Sequence, residues 1–122
     1  MGNPVTHFEI AVKDDAAARK FYADLFGWKI THHEATGYGM IDTDSGGEGI
    51  GGGVMKTPSG DVFTTFYVLV DDLQATLDQA EKQGAKTIMP PMQVPEGPEI
   101  AMFTDPDGNP IGIAKQASVT SG

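Results

Sequence analysis

The chain has 122 residues, of which 20% are charged and 39% hydrophobic; that is enough for one globular domain and too apolar for a disordered chain. Seventeen acidic residues against eight basic ones leave a formal charge of −9, which argues against a nucleic-acid partner, since phosphate binding rests on clustered Lys and Arg. Cysteine is absent, excluding disulfides, thiol nucleophiles and thiolate metal centres and leaning the compartment to the cytoplasm; no apolar run approaches the ~18 residues of a membrane span, so no membrane partner is expected.

Residues 5–12 (VTHFEIAV) alternate, with Phe8, Ile10 and Val12 on one face and His7, Glu9 and Ala11 on the other. Asp14 or Asp15 is placed to cap a helix, whose apolar stripe is Phe21, Tyr22, Leu25 and Phe26. Gly27 stands where a C′ glycine belongs. Strands are expected over residues 28–33 and 37–43, then a polar, glycine-rich loop over 44–49, then a glycine-rich strand over 50–55. The order is βαβββ, conventionally written as one βαββ module, here residues 4–57.

Thr57-Pro58-Ser59-Gly60 is a turn, and the pattern then restarts over residues 61–115. His-Phe-Glu-Ile-Ala-Val of the first strand matches Thr-Phe-Tyr-Val-Leu-Val of the fifth, and Asp14 falls on Asp72. The second helix carries Leu73, Thr76, Leu77 and Ala80 on one face and ends at Gly84, the counterpart of Gly27. Strands over 85–89 and 100–103 are separated by a proline-rich connection over 90–98. Phe103-Thr104-Asp105-Pro106-Asp107-Gly108-Asn109-Pro110-Ile111 reads as strand, tight turn, strand; the last strand covers 111–114 and residues 115–122 form a frayed tail. Two copies about 58 residues apart are too few for a solenoid and fit one domain of two modules. The G-x-G-x-x-G match at Gly47–Gly52 runs into a strand rather than a helix, which is the wrong setting for a dinucleotide.

Phe21-Tyr22 followed by Leu25-Phe26-Gly27-Trp28, the strand end Val70-Asp71-Asp72, Gly84-Ala85 and the Asp105-Pro106-Asp107-Gly108-Asn109 turn, in that order over two repeats, resemble the vicinal oxygen chelate superfamily. This is the group of glyoxalases, extradiol dioxygenases and bleomycin-resistance proteins, and the resemblance is to its lactoylglutathione-lyase-related branch. The implied fold is α+β: a single domain over residues 1–122, in which two tandem βαββ modules form a curled, cavity-enclosing mixed sheet with the helices outside. Many relatives are homodimers, and a curled sheet too short to close its own cavity points the same way. The family's metal ligands come from the first and last strands of each module. The matching positions are His7, about Gly53 in the run Gly51-Gly52-Gly53, Thr65, and Gly112, where the metalloenzymes usually carry Glu. His7 is the one good ligand among the four, whereas a catalytic divalent metal needs about three. His32 and His33 lie on the far edge strand, roughly 14 Å from the first.

The resemblance therefore implies a small organic ligand bound in a sheet-lined cavity without the family metal; a divalent metal on an incomplete ligand set is the alternative. Glu9 and His7, on the cavity face, are the candidates for proton transfer and ligand contact. Thr65 and Tyr67 hold the corresponding face of module two, and Gly53 and Gly112 complete the ligand-binding set. Three activities remain open: a metal-dependent glyoxalase or dioxygenase, a metal-free lyase or isomerase using Glu9 or His7, and a protein that sequesters a cationic drug. Phe8, Ile10, Phe66, Val68, Ile111 and Ile113 are expected in the core under the helices, with Trp28 packed beside them.

Overall fold

The computed structural model describes residues 2–44, 46–95 and 97–115. Their order is β1 (Val5–Val12), α1 (Asp15–Phe26), β2 (Lys29–His33), β3 (Tyr38–Asp42), β4 (Gly51–Lys56), then β5 (Phe63–Val70), α2 (Leu73–Lys82), β6 (Lys86–Gln93), β7 (Glu99–Thr104) and β8 (Pro110–Lys115). This is an α+β chain in which each half runs βαβββ. It divides into two compact units, one of which is Thr6–Thr65. Strands of the first half lie in the order β2-β3-β4-β1, and those of the second in the order β6-β7-β8-β5. In each half the last strand runs parallel to the first, β4 with β1 and β8 with β5, and the other pairs are antiparallel.

Local chemistry explains the helix boundaries. Asp14 is extended and its carboxylate accepts from Ala17 N at 3.0 Å; Gly27 closes α1 at φ 71°, its N–H bonded to Ala23 O. Asp72 does the same for α2, accepting from Ala75 N at 3.0 Å. Both caps satisfy a donor that the first helical turn leaves unpaired. The turn between β7 and β8 is closed by one side chain. Asp105 accepts from the backbone of Asp107 and Asn109 and from Asn109 Nδ2 at 2.9–3.0 Å, and these bonds, the Asn109 side chain foremost, hold its carboxyl below the usual carboxylate range.

The two halves use their helices differently. In the second, α2 buries Leu73 and Leu77 against Val70, Ala101 and Ile113, with Val68 and Phe103 packed alongside. In the first, Trp28 is the hub, with ring centroids 5.6 Å from Phe8, 5.7 Å from Tyr22 and 4.9 Å from Phe26. None of α1's residues is buried, and Phe21, Leu25 and Phe26 are exposed. The apolar stripe read from the sequence is thus only partly covered: Tyr22 and Phe26 reach Trp28, while Phe21 and Leu25 stay outside.

Three further expectations change. Strand β6 runs through Pro90 and Pro91 to Gln93, where a connection was expected. It is an edge strand paired with β7 and breaks register between Thr87 and Met89 and between Met89 and Met92, the setting in which a sheet tolerates residues without an N–H. Phe66, expected in the core, is 41% exposed, because Thr65 and Tyr67 take the buried alternation of β5. Lys115 closes β8, and the rest of the expected tail lies outside the described residues. Among the described residues no helix is long and apolar enough to cross a membrane.

Leu77, 1% exposed at the centre of the second core, tests this packing. Leu77→Ala leaves a cavity under α2 and should lower unfolding free energy by about 2–5 kcal/mol, read from the urea midpoint.

Candidate functional site

Alternation along β1 sends His7 and Glu9 to the face opposite Phe8 and Ile10. Register then builds the site. Glu9 pairs with Gly53 on β4, and Gly53 pairs with Met40 on β3. Tyr38, two residues before Met40, shares that face. A Cβ at Gly53 would fall on the Tyr38 hydroxyl and ring, so the bare glycine is the gap through which Tyr38 crosses β4 to reach β1. There its hydroxyl donates to Glu9 Oε1 at 3.1 Å and stands 2.8 Å from His7 Nε2. The His7 and Tyr38 rings are near parallel, 18° apart, with centroids 6.4 Å apart. Glu9 is only 5% exposed.

The donor count orders the protons. Tyr38 has one O–H, and when it is given to Glu9 the phenol oxygen accepts from a His7 Nε2–H. This fits a neutral imidazole, and burial holds the His7 pKa below its ordinary 6.5. The chain of bonds therefore runs His7 to Tyr38 to Glu9, with the carboxylate as terminal acceptor. A carboxylate so placed can accept a proton or a cationic donor from a ligand.

The second half repeats the register with other side chains. Tyr67 on β5 pairs with Gly112 on β8, and a Cβ at Gly112 would lie 2.6 Å from the Tyr67 ring. Gly53 and Gly112 are thus true counterparts, each opposite the same position of its first strand. Thr65, two residues before Tyr67 and on its face, is buried. His7, Glu9 and Gly53 come together in the first half, and Tyr67 and Gly112 in the second.

His32 is separated from His7 by face as well as by distance. It pairs with Gly39, which pairs with Val54, the partner of Ile10. That is the α1 side, where a Cβ at Gly39 would lie 3.2 Å from Arg19 Cδ. His33 pairs with Tyr38 at the strand end and is exposed.

The residues present do not fit a three-ligand divalent centre. Among the described residues no group of three His, Cys, Asp or Glu is gathered. At two of the four family ligand positions the space beyond the glycine is filled, by Tyr38 at Gly53 and by Tyr67 at Gly112. Tyr38 is the residue that sequence reasoning missed. Its signal was Gly53 itself, since a glycine inside a strand marks close approach of another group.

A model of the Glyoxalase/Bleomycin resistance protein/Dioxygenase superfamily matches residues 5–113. A Mycobacterium bovis protein named as a glyoxylase, CFP32, is 27% identical over 113 residues; the match covers 86% of this chain and 42% of the relative, so the chain spans less than half of that protein. Among solved structures, methylmalonyl-CoA epimerase from Mycobacterium tuberculosis superposes with a TM-score of 0.65 at 18% identity, covering 96% of this chain and 90% of that one. The Mn(II)-bound glyoxalase from Novosphingobium aromaticivorans gives 0.69 at 19% identity, covering 96% and 40%. At these identities the two structures speak for the fold.

His7 supplies a pH test. Its folded pKa is lowered, so the unfolded chain binds the proton more readily. Its contribution is intact above 6.5 and is lost progressively as pH falls from there through the folded value. The imidazole should titrate below 6.5 by NMR, and His7→Gln should flatten the stability loss on the acid side of neutrality. Gly53→Ala, which drives a methyl into Tyr38, should cost about 1–3 kcal/mol by urea unfolding.

Proposed function

The chain belongs to the Glyoxalase/Bleomycin resistance protein/Dioxygenase superfamily, and on that premise we propose that it binds a small organic molecule on the strand face of Glu9, His7 and Tyr38, without a family metal. One observation carries this reading: the Tyr38 hydroxyl, lodged over Gly53, is bonded to the Glu9 carboxylate and the His7 imidazole. The groups a metal would need at that spot, His7 and Glu9, are instead hydrogen-bonded to the Tyr38 phenol. Glu9 is the acceptor for a ligand proton or cation, His7 the neutral partner that orients the phenol, and Tyr38 the movable donor between them. Gly53 backs that face; Tyr67 with Gly112, and Thr65 on the face of Tyr67, are proposed separately as contact positions of the second repeat. The reading includes a cytoplasmic homodimer.

Chemistry on this face would be proton transfer of the lyase or isomerase kind. Glu9 would take a proton from carbon beside a carbonyl and return it, with Tyr38 donating to the oxygen that gains charge. That solved neighbours are named as an epimerase and a glyoxalase is compatible with this class and does not name a substrate. A second reading, sequestration of a cationic compound without turnover, is favoured by the buried Glu9 carboxylate in a chain of net charge −9.

A thermal-shift screen should find a ligand, and calorimetry then tests the site. Glu9→Gln and Tyr38→Phe should each weaken binding by roughly tenfold to a hundredfold, the loss of a hydrogen bond to a charged group worth about 1.5–3 kcal/mol. Unchanged affinity in both would move the ligand to another face, Tyr67 first. Elemental analysis after exposure to Zn²⁺, Ni²⁺ or Mn²⁺ should find no stoichiometric ion; about one tightly held ion per chain would return the metal-dependent enzyme to first place.

A further inference from the structure

We propose that the outer face of α1 is where two copies of this chain meet about a two-fold axis, a proposal that rests on reading the protein as a homodimer and goes beyond it by naming the surface.

Three large apolar side chains lie together on one short helix: Phe21, Leu25 and Phe26 are 57%, 59% and 56% exposed. Phe21 and Leu25 are one turn apart on the same side, with Ala17 a turn before them. Together the three leave roughly 350 Å² of apolar surface open, the size at which a patch on a single chain is commonly functional. The internal repeat supplies the control. The equivalent helix, α2, turns Leu73 and Leu77 into its own core, whereas α1 buries no residue. The sheet below α1 is served by Tyr22 through Trp28, so Phe21 and Leu25 are surplus to the packing of their own half.

Charge selects the occupant. The four charged residues of α1 are Asp15, Arg19, Lys20 and Asp24, two of each sign, and they are paired as Arg19–Asp15 at 2.8 Å and Lys20–Asp24 at 2.6 Å. This helix is neutral on a chain of net charge −9, which makes it a place where two copies can approach without repulsion. An anionic lipid surface or nucleic acid selects an excess of Lys and Arg, which the helix lacks. A strongly basic partner would need an excess of acid.

A second copy fits. With two α1 helices antiparallel about a two-fold axis near residues 22–23, Phe21 of one copy meets Leu25 of the other. Lys20, whose side chain is 79% exposed, lies beside Asp24 of the other copy, itself 64% exposed. Such a contact is isologous, each residue serving both sides. A stable interface buries about 800 Å² per partner, so the apolar patch is its centre and the remainder is polar rim.

Sedimentation velocity at micromolar concentration tests the proposal on the full chain. The wild type should run as a dimer. The double variant Phe21→Glu with Leu25→Glu should run as a monomer while keeping its far-UV circular dichroism, since both side chains are already more than half exposed. Val62→Glu, 59% exposed and outside α1, should stay dimeric. A wild-type monomer, whether or not it associates with anionic vesicles, overturns both the homodimer reading and this surface. A wild-type dimer that the double variant leaves intact, or that Val62→Glu dissociates equally, overturns the surface alone.

Discussion

A carboxylate on a buried strand face is the constraint on which the first half turns. Glu9 cannot be left unpaired there, because an unsatisfied buried charge costs several kcal/mol. One partner is Tyr38, two strands away, which crosses β4 over a residue with no side chain. Gly53 is therefore a packing residue whose packing is polar. The same hydroxyl ties down His7, whose burial favours the neutral imidazole that can donate from Nε2. Three elements, β1, β3 and β4, are pinned at one oxygen atom.

Duplication gave the second half the same geometry to use differently. By register Tyr67 stands where Glu9 stands, and Gly112 where Gly53 does. Here the ring on the first strand covers the glycine directly. One module holds an acid and a base joined by a phenol; the other holds a phenol and the Thr65 hydroxyl. The repeats share a backbone rule, glycine opposite a large group, and differ in chemistry. The helices diverge too, α2 committed inward and α1 carrying its apolar side chains outward.

Much of this was legible in the chain. Alternation in residues 5–12 placed His7 and Glu9 on one face opposite Phe8 and Ile10, and that arrangement stands in the structure. Asp14, Gly27 and Asp72 marked helix ends because capping is local chemistry. The second βαβββ was visible as a repeat of the first. What stayed hidden depends on register between strands, which no local pattern records. Gly53 and Gly112 looked like missing ligands, when each is a clearance for a tyrosine. Tyr38 itself carried no local signal, because its target lies 29 residues away in sequence. The prolines of β6 looked like a connection because edge position cannot be read from composition. Phe66 and the outer stripe of α1 looked like core because apolar periodicity shows that a face exists, not whether the chain itself covers it.

The central claim is that an organic ligand, and not a metal ion, engages the face where Tyr38 bridges Glu9 and His7. A crystal structure of the chain with the tightest compound from a thermal-shift screen tests it most directly. The account predicts density for the compound within hydrogen-bond reach of the Glu9 carboxylate or the Tyr38 hydroxyl, with Gly53 still backing the phenol. A metal ion held on His7, or a compound bound with the His7–Tyr38–Glu9 chain untouched and distant, would contradict it.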